Sequence, residues 1–430
     1  MSKTERIFNI LLVAFCGLWL LLKALSGPLL ILLIVVAIIG RYRNENSFLF
    51  QKKQGLWVLL FGVYALSLFW SAAPDFQALE RKLALLAFPL LFAFQWKNPL
   101  PLAHMWLSHT LACIVLIAIA YYDAFMCQMQ LGNSVRCFST TYFSQVHHPS
   151  YFSAFLIFSV IGLLLGKITW FAAKPRWISW LLIGVFTAMH LHLGTLAGIL
   201  AIAVVLMTYT SWQFSKRFGW FSSIWIGLAT LIIGVVLALQ SQEIKADAQN
   251  AYNFTQAYLE NPTAFVKDRK EPLQGNEVRL ILWTASYQIG KQNPFGLGLG
   301  GLEPALAQKL NRWGYPQQAK KEFNPHNQWL QIWNEIGWLG LGIFGFLLSA
   351  LTLHFYQNRN QAALLLTLVF LIFCLFESIL QRESGIVFFM CWLTALSYLT
   401  KRTTSRKFSS SLNITRLRLV RRKTDCTNLP

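Results

Sequence analysis

Apolar stretches recur along almost the whole chain, at residues 7–22, 28–40, 55–70, 83–94, 106–125, 150–165, 177–190, 194–209, 219–239, 328–353, 362–380 and 385–399. With their flanking residues, these runs approach the roughly 20 residues that a helix needs to cross a hydrocarbon layer about 30 Å thick. No soluble core requires that much apolar sequence. Hydrophobic residues make up 55% of the chain and charged ones only 13%, and the mean hydropathy is +0.47. The 17 Trp and 34 Phe fit a membrane–water boundary, where large aromatic rings collect. The expectation is an all-α polytopic membrane protein with about twelve transmembrane helices. The first run, with Lys3 and Arg6 before it, has the outline of a signal peptide. Lys23 and the Gly27-Pro28 turn lead at once into a second apolar run, so a retained first helix is expected.

The formal charge of +20 would suit a nucleic-acid partner if it were gathered in one groove. Much of it sits instead in short loops and in the tail, at Lys401, Arg402, Arg406, Lys407, Arg416, Arg418, Arg421, Arg422 and Lys423. That distribution sets topology and meets anionic lipid, so membrane lipids are expected partners and nucleic acid is not. Cationic loops then lie in the cytoplasm, carrying Arg41, Arg43, Lys52 and Lys53, then Lys97, Lys167, Lys174, Arg176, Lys216, Arg217 and Arg359. Twelve crossings leave both termini cytoplasmic. Two longer segments, 127–149 and 240–325, fall on the opposite side. The expected divisions are an N-terminal bundle at 1–239, a large periplasmic loop at 240–326, C-terminal membrane helices at 327–400 and a basic cytoplasmic tail at 401–430. A structureless loop of that length would be unusual. Its amphipathic stretches 245–260 and 277–290 suggest short helices capping the bundle. Cys16, Cys113, Cys374 and Cys391 lie in apolar runs and read as small buried hydrophobes. Cys127 and Cys137 fall in the first outer segment, where an oxidising compartment permits a disulfide, the expected state in preference to two free thiols.

The polar residues with most chemical promise gather near the end of the large loop. In Asn324-Pro325-His326-Asn327-Gln328, Asn324 suits a helix N-cap and Pro325 the first turn, which would put His326 at a helix N-terminus facing water. The positive end of the helix dipole favours a neutral imidazole, the form a general base needs. A lone histidine of this kind would otherwise read as an interfacial hydrogen bonder. His326-Asn327 is followed, after nine residues, by Gly337-Trp338-Leu339-Gly340. Upstream stand Asn293-Pro294-Phe295-Gly296-Leu297-Gly298-Leu299-Gly300 and Glu277-Val278-Arg279-Leu280-Ile281-Leu282-Trp283.

These segments resemble the His-Asn…Gly-x-x-Gly, Pro-x-Gly-x-Gly and Arg-x-x-x-Trp signatures of the O-antigen ligase and polymerase superfamily. The resemblance implies a C-type glycosyltransferase fold and a metal-independent reaction with no cofactor. Its donor would be a glycan on undecaprenyl diphosphate at the periplasmic face of the bacterial inner membrane, and its acceptor a hydroxyl such as one on lipid A–core. By that resemblance His326 deprotonates or orients the acceptor and Arg279 holds the diphosphate, for which guanidinium offers a fixed, charged fork. Asn327, Arg136, Arg382, His147, His148 and Glu377 are the further substrate-binding candidates, with Glu377 also a candidate ion-pair partner for Arg279 or Arg382. Many relatives carry a Ser-Arg pair where this chain reads His190-Leu191-His192-Leu193-Gly194, so another cation or the two histidines would have to serve.

The Gly296-x-Gly298-x-x-Gly301 spelling matches a dinucleotide fingerprint but follows no strand of a βαβ unit. A glycine turn offering backbone N–H groups to a diphosphate remains open. Gly337, Gly340, Gly342 and Gly345 suggest close helix packing. His147-His148 have no Cys or acidic partner at ligand spacing, so no metal is expected. A ligase, a polymerase and a protein O-oligosaccharyltransferase would all share this site. A lipid-linked glycan transporter would be expected to have repeated halves, which the sequence lacks.

Overall fold

The computed structural model describes residues 1–132, 134–238, 242–268 and 275–398, so the basic tail at 401–430 lies outside the described residues. The chain opens with α1 (Lys3–Leu21), α2 (Ser26–Tyr42), strand β1 (Asn46–Phe48), α3 (Lys52–Ser67), α4 (Phe76–Lys82), α5 (Ala84–Leu91) and strand β2 (Phe94–Trp96). Next come α6 (Leu102–Leu131), α7 (Ser134–Cys137), α8 (Thr140–Phe143), α9 (Pro149–Leu164), α10 (Thr169–Ala172), α11 (Arg176–Leu193) and α12 (Leu196–Ala238). A group of mostly shorter helices follows: α13 (Gln242–Glu260), α14 (Pro262–Asp268), α15 (Gly275–Gln292), α16 (Leu302–Arg312) and α17 (Pro316–Ala319). The last described elements are α18 (Gln328–Gln357), α19 (Gln361–Phe376) and α20 (Glu383–Tyr398).

Among the described residues this membrane protein is all-α apart from one small ribbon. Among the described residues, six helices are long and apolar enough to cross a membrane: Lys3–Leu21, Lys23–Tyr42, Lys52–Trp70, Leu102–Leu131, Leu196–Gly219 and Gln328–Gln357. Three shorter apolar helices, Pro149–Leu164, Gln361–Phe376 and Glu383–Tyr398, pack among them. The centre is α9, whose residues from Pro149 to Leu163 are all buried. A helix that is apolar on every side belongs inside a bundle rather than at its rim. Lipid is as apolar as these side chains, so close packing must hold the helices together. Gly198 of α12 supplies one such approach: a Cβ there would fall 1.9 Å from the Ser153 Oγ of α9. Trp106, Phe158 and Trp392 pack against one another, with ring centroids 4.4–5.5 Å apart.

Two features depart from the sequence expectation. The apolar stretch 83–94 does not form one continuous span. It is broken at Leu83, contains Pro89 within α5, and ends in β2, which pairs antiparallel with β1 (Asn46 opposite Trp96, Phe48 opposite Phe94). Proline lacks the N–H that would continue the helix ladder. Gln54 of α3 donates to the Pro89 carbonyl at 3.0 Å. The ribbon is only three residues per strand, too short for an alternation to register. It is seated by Asn46, whose side chain donates to the Ala37 carbonyl, and by Trp96 against Gly40. The helices α13 to α17 carry an apolar core of their own around Phe265, Ile281, Leu282, Leu310 and Tyr315.

The glycines of the 293–301 and 337–345 segments serve the backbone. Helix α18 is broken at Ile336 and Gly337, where Gly337 takes φ +68° and ψ −165°. A helix break in an apolar setting strands carbonyls and N–H groups that water cannot reach. Here the glycine-rich strap 294–301 satisfies them. Leu297 N–H donates to the Asn334 carbonyl at 2.7 Å and Gly298 N–H to the Glu335 carbonyl at 2.9 Å. Trp338 N–H donates to the Pro294 carbonyl at 3.1 Å. The Leu297 and Gly298 N–H groups are therefore engaged within the protein and are not offered to a diphosphate. The helix-packing reading of the second glycine set also falls: a Cβ at Gly342 would meet nothing within 4 Å, and one at Gly345 only Trp329 at 3.9 Å. A Cβ at Gly337 would fall 2.5 Å from the Phe295 and Pro294 backbone, in a conformation that only glycine adopts readily. Gly337→Ala is expected to destabilise the fold by at least about 1–3 kcal/mol. A lower melting temperature in detergent would register this, and an unchanged melt would show that the strap yields easily.

Candidate active site

The site forms where the start of α18 meets the end of α19. Asn327 caps α18: its side-chain oxygen accepts from Leu330 N–H at 3.0 Å, and its amide donates to the Leu375 carbonyl at 3.1 Å. The helix thus starts three residues later than Asn324 as N-cap would have it. Asn324 instead accepts the His326 N–H at 2.9 Å in a local turn, and His326 adopts φ +47°. Both asparagines suit a cap, and Asn327 takes the role while also tying α18 to α19. His326 therefore stands just before the helix, not within its first turn.

Glu377, at the C-terminal cap of α19, organises the charged groups. Its Oε2 lies 3.3 Å from His326 Nδ1, its Oε1 lies 3.4 Å from an Arg279 guanidinium nitrogen, and Ser150 Oγ donates to Oε1 at 2.8 Å. The Glu377 side chain is 5% exposed, while His326 and Arg279 keep 20% and 26%. Burial alone would raise the Glu377 carboxyl. The hydrogen bond and charge of His326, with the charges of His148 and Arg279, hold it down at about 2. His148 belongs to the same electrostatic group. Burial pulls its imidazole down from the ordinary value, the Glu377 charge opposes that, and Arg382, His326 and Arg279 add to it.

The remaining candidates are distributed differently. Arg382 is exposed and follows the short turn after Glu377; its charge reaches His148 and Tyr151. His147 is turned inward, its Nδ1 2.9 Å from Ser384 Oγ and its Nε2 2.7 Å from the Leu20 carbonyl. It ties α20 to the end of α1, and burial lowers its imidazole to about 4. Arg136 stacks on Tyr142, 4.5 Å from the ring centre, and donates to its hydroxyl. Cys127 and Cys137 are bonded to each other. His190 and His192 face carbonyls through Nδ1, at Phe186 (2.9 Å) and Phe138 (3.0 Å). Cys16, Cys113, Cys374 and Cys391 are buried free thiols.

Two sets of residues escaped the sequence reading. Ser150 is one; a serine at the head of an apolar run gives no signal. The other is a buried polar chain beneath the site. Lys82 Nζ donates to Gln381 Oε1 at 2.8 Å and lies 3.9 Å from Glu335 Oε2. Gln331 donates to both Glu335 (2.9 Å) and Glu303 (3.1 Å), and Gln381 donates to Glu335. Ser378, next to Glu377, donates to Gln331 at 3.4 Å. An ionisable residue within or beside an apolar run was the available signal.

The arrangement offers a general base backed by a buried anion, with a guanidinium beside it. Among the described residues no group of His, Cys, Asp and Glu gathers as a metal set. Comparison with curated proteins finds no match to this chain. Residues 180–345, which include Arg279 and His326, match the model of the family described as O-antigen ligase, and that match supports the O-antigen ligase superfamily.

Proposed function

We propose that this protein is a membrane glycosyltransferase that moves a glycan from undecaprenyl diphosphate to an acceptor hydroxyl, with lipid A–core as the acceptor. The observation that carries this reading is the shared carboxylate: Glu377 joins His326 and Arg279, two residues from separate motifs of the family signature. An ionised Glu377 holds a proton on His326 Nδ1 and leaves the Nε2 lone pair available. His326 Nε2 takes the acceptor hydroxyl proton as that oxygen bonds to the anomeric carbon. The bond from that carbon to the diphosphate breaks, and its electron pair stays on the phosphate oxygen. Arg279 balances the charge that collects there, with Arg382 as a second cation. Glu377 in turn stabilises the imidazolium.

The reading carries a topology with it. With the broken segment α4–α5 counted as one of twelve crossings, the reading takes 1–239 as the N-terminal bundle, 240–326 as the periplasmic segment, 327–400 as the C-terminal membrane helices and 401–430 as a cytoplasmic tail. The active site then faces the periplasm, and both termini face the cytoplasm of the inner membrane.

The test compares a deletion strain carrying wild-type protein with one carrying His326→Ala. Loss of the general base is expected to cut transfer by about 10²–10⁴-fold. Lipopolysaccharide gels should then show bare lipid A–core, with long chains held on undecaprenyl diphosphate. Core bearing single repeats would identify a polymerase instead. An unchanged pattern at equal protein level would overturn the ligase reading and point to protein glycosylation or a carrier.

A further inference from the structure

The head of α9 brings one more polar group to the site, a group to which the reaction described above gives no role. His148 caps α9: its Nδ1 accepts the Ser150 N–H at 3.4 Å. A ring nitrogen that accepts a hydrogen bond carries no proton, so His148 is a neutral imidazole with its hydrogen on Nε2. The residue is half-buried, and among the described residues nothing accepts from that Nε2. We propose that the His148 Nε2–H donates to a phosphate oxygen of the polyprenyl diphosphate, beside Arg279 and Arg382. The inference rests on the glycan-transfer reading above and adds a third, uncharged donor to its leaving-group site.

Contacts on both sides place the ring. On one side, Ser150 Oγ donates at 2.8 Å to Glu377, the carboxylate that also meets His326 and Arg279. On the other, the His148 ring packs against Tyr151 with centroids 6.0 Å apart. Tyr151 in turn lies against Gly385, just after Arg382, where a Cβ would fall 2.6 Å from the Tyr151 ring. His148 therefore stands between the Glu377 turn and the start of α20, and charge interactions link it to Glu377, Arg382, His326 and Arg279. The adjacent His147 does not compete for this place, since Ser384 and the Leu20 carbonyl hold it inward. The protonation state matters as much as the position. An imidazolium here would add a third cation beside Arg279 and Arg382 and would compete with His326 for the one carboxylate of Glu377. The Ser150 N–H opposes this by occupying Nδ1, and burial pulls the imidazole in the same direction. The two histidines then offer opposite groups: His326 a lone pair to the acceptor hydroxyl, His148 an N–H to the departing phosphate. No proton leaves His148; its hydrogen bond strengthens as charge collects on the phosphate oxygen.

The test measures binding of farnesyl diphosphate, a short polyprenyl diphosphate, to purified full-length protein in detergent, with farnesol as the control for the tail. Two substitutions separate the cap from the donor. His148→Asn keeps an acceptor for the Ser150 N–H but places no group at the Nε2 position. His148→Gln carries an N–H to that position but loses the cap geometry. Hydrogen bonds to charged groups are the stronger kind, so His148→Asn is expected to bind farnesyl diphosphate about tenfold more weakly than wild type. His148→Gln, with the donor restored, should stay within about threefold of wild type. Farnesol should bind all three proteins alike. Wild-type affinity in His148→Asn would overturn the proposal. A loss in His148→Gln as large as that in His148→Asn would also overturn it, because the loss would then follow the shape of the ring and not its donor. So would a wild-type protein that does not prefer farnesyl diphosphate to farnesol. The lipopolysaccharide gel of His326→Ala reads transfer without reference to this contact, so the transfer reading and the His148 contact can fail separately.

Discussion

Glu377→Gln is expected to lower glycan transfer by about 10³-fold in a protein that still folds and inserts. Glutamine matches the shape of glutamate, so the contact with Ser150 and the packing at the end of α19 can be retained. What disappears is the charge. Without it nothing holds the proton on His326 Nδ1, the ring can turn the wrong nitrogen to the acceptor, and the imidazolium formed during reaction loses its counter-ion. Arg279 also loses the carboxylate 3.4 Å away that sets its position. The folded-state carboxyl sits near 2, below the ordinary value, so its contribution is present above the usual carboxylate range and is lost only as pH falls through about 2. Between pH 5 and 8 the wild-type residue stays charged, and the defect of the Gln variant should be present across that whole window. Transfer measured with equal amounts of inserted wild-type and variant protein gives the answer. A variant within threefold of wild type would mean that Glu377 only holds the helices together.

The sequence made some parts of this site readable and hid others, for physical reasons. Arg279 and His326 stood out because each lies in a recognisable local pattern next to a membrane run. Glu377 was visible as a lone acid at the end of an apolar stretch, but its two partners lie 98 and 51 residues away, and only folding brings them together. The helix start was misread because Asn324 and Asn327 are equally good caps by type; the bond from Asn327 to the Leu375 carbonyl decides between them. The glycine strap was misleading for a related reason. Its spelling suits a phosphate turn, yet its Leu297 and Gly298 N–H groups are taken up by carbonyls freed at a kink some forty residues further on. The long apolar helices required no such partner information, because hydrocarbon length alone dictates them.

Lys82→Met is expected to destabilise the protein by about 3–5 kcal/mol, the usual result of removing one member of a buried ion pair. Lys82 is wholly buried at the end of α4, with its ammonium 4.6 Å from the centre of the Tyr64 ring. Burial pulls its amine below the ordinary value, and the charges of Glu335 and Glu303 work against that pull. Methionine fills a similar volume but leaves Glu335 buried with no cation facing it. Gln381 also loses the donor to its Oε1, so the segment 378–382, which follows directly from Glu377, loses one of its ties to the helices below. The double variant Lys82→Met/Glu335→Gln should recover much of the lost stability, since it removes both charges together. Melting curves for the wild type, both single variants and the double variant give the coupling directly. Additive losses would show that the pair is not coupled. If stability returns in the double variant while transfer stays low, the buried pair holds Glu377 in position as well as stabilising the fold.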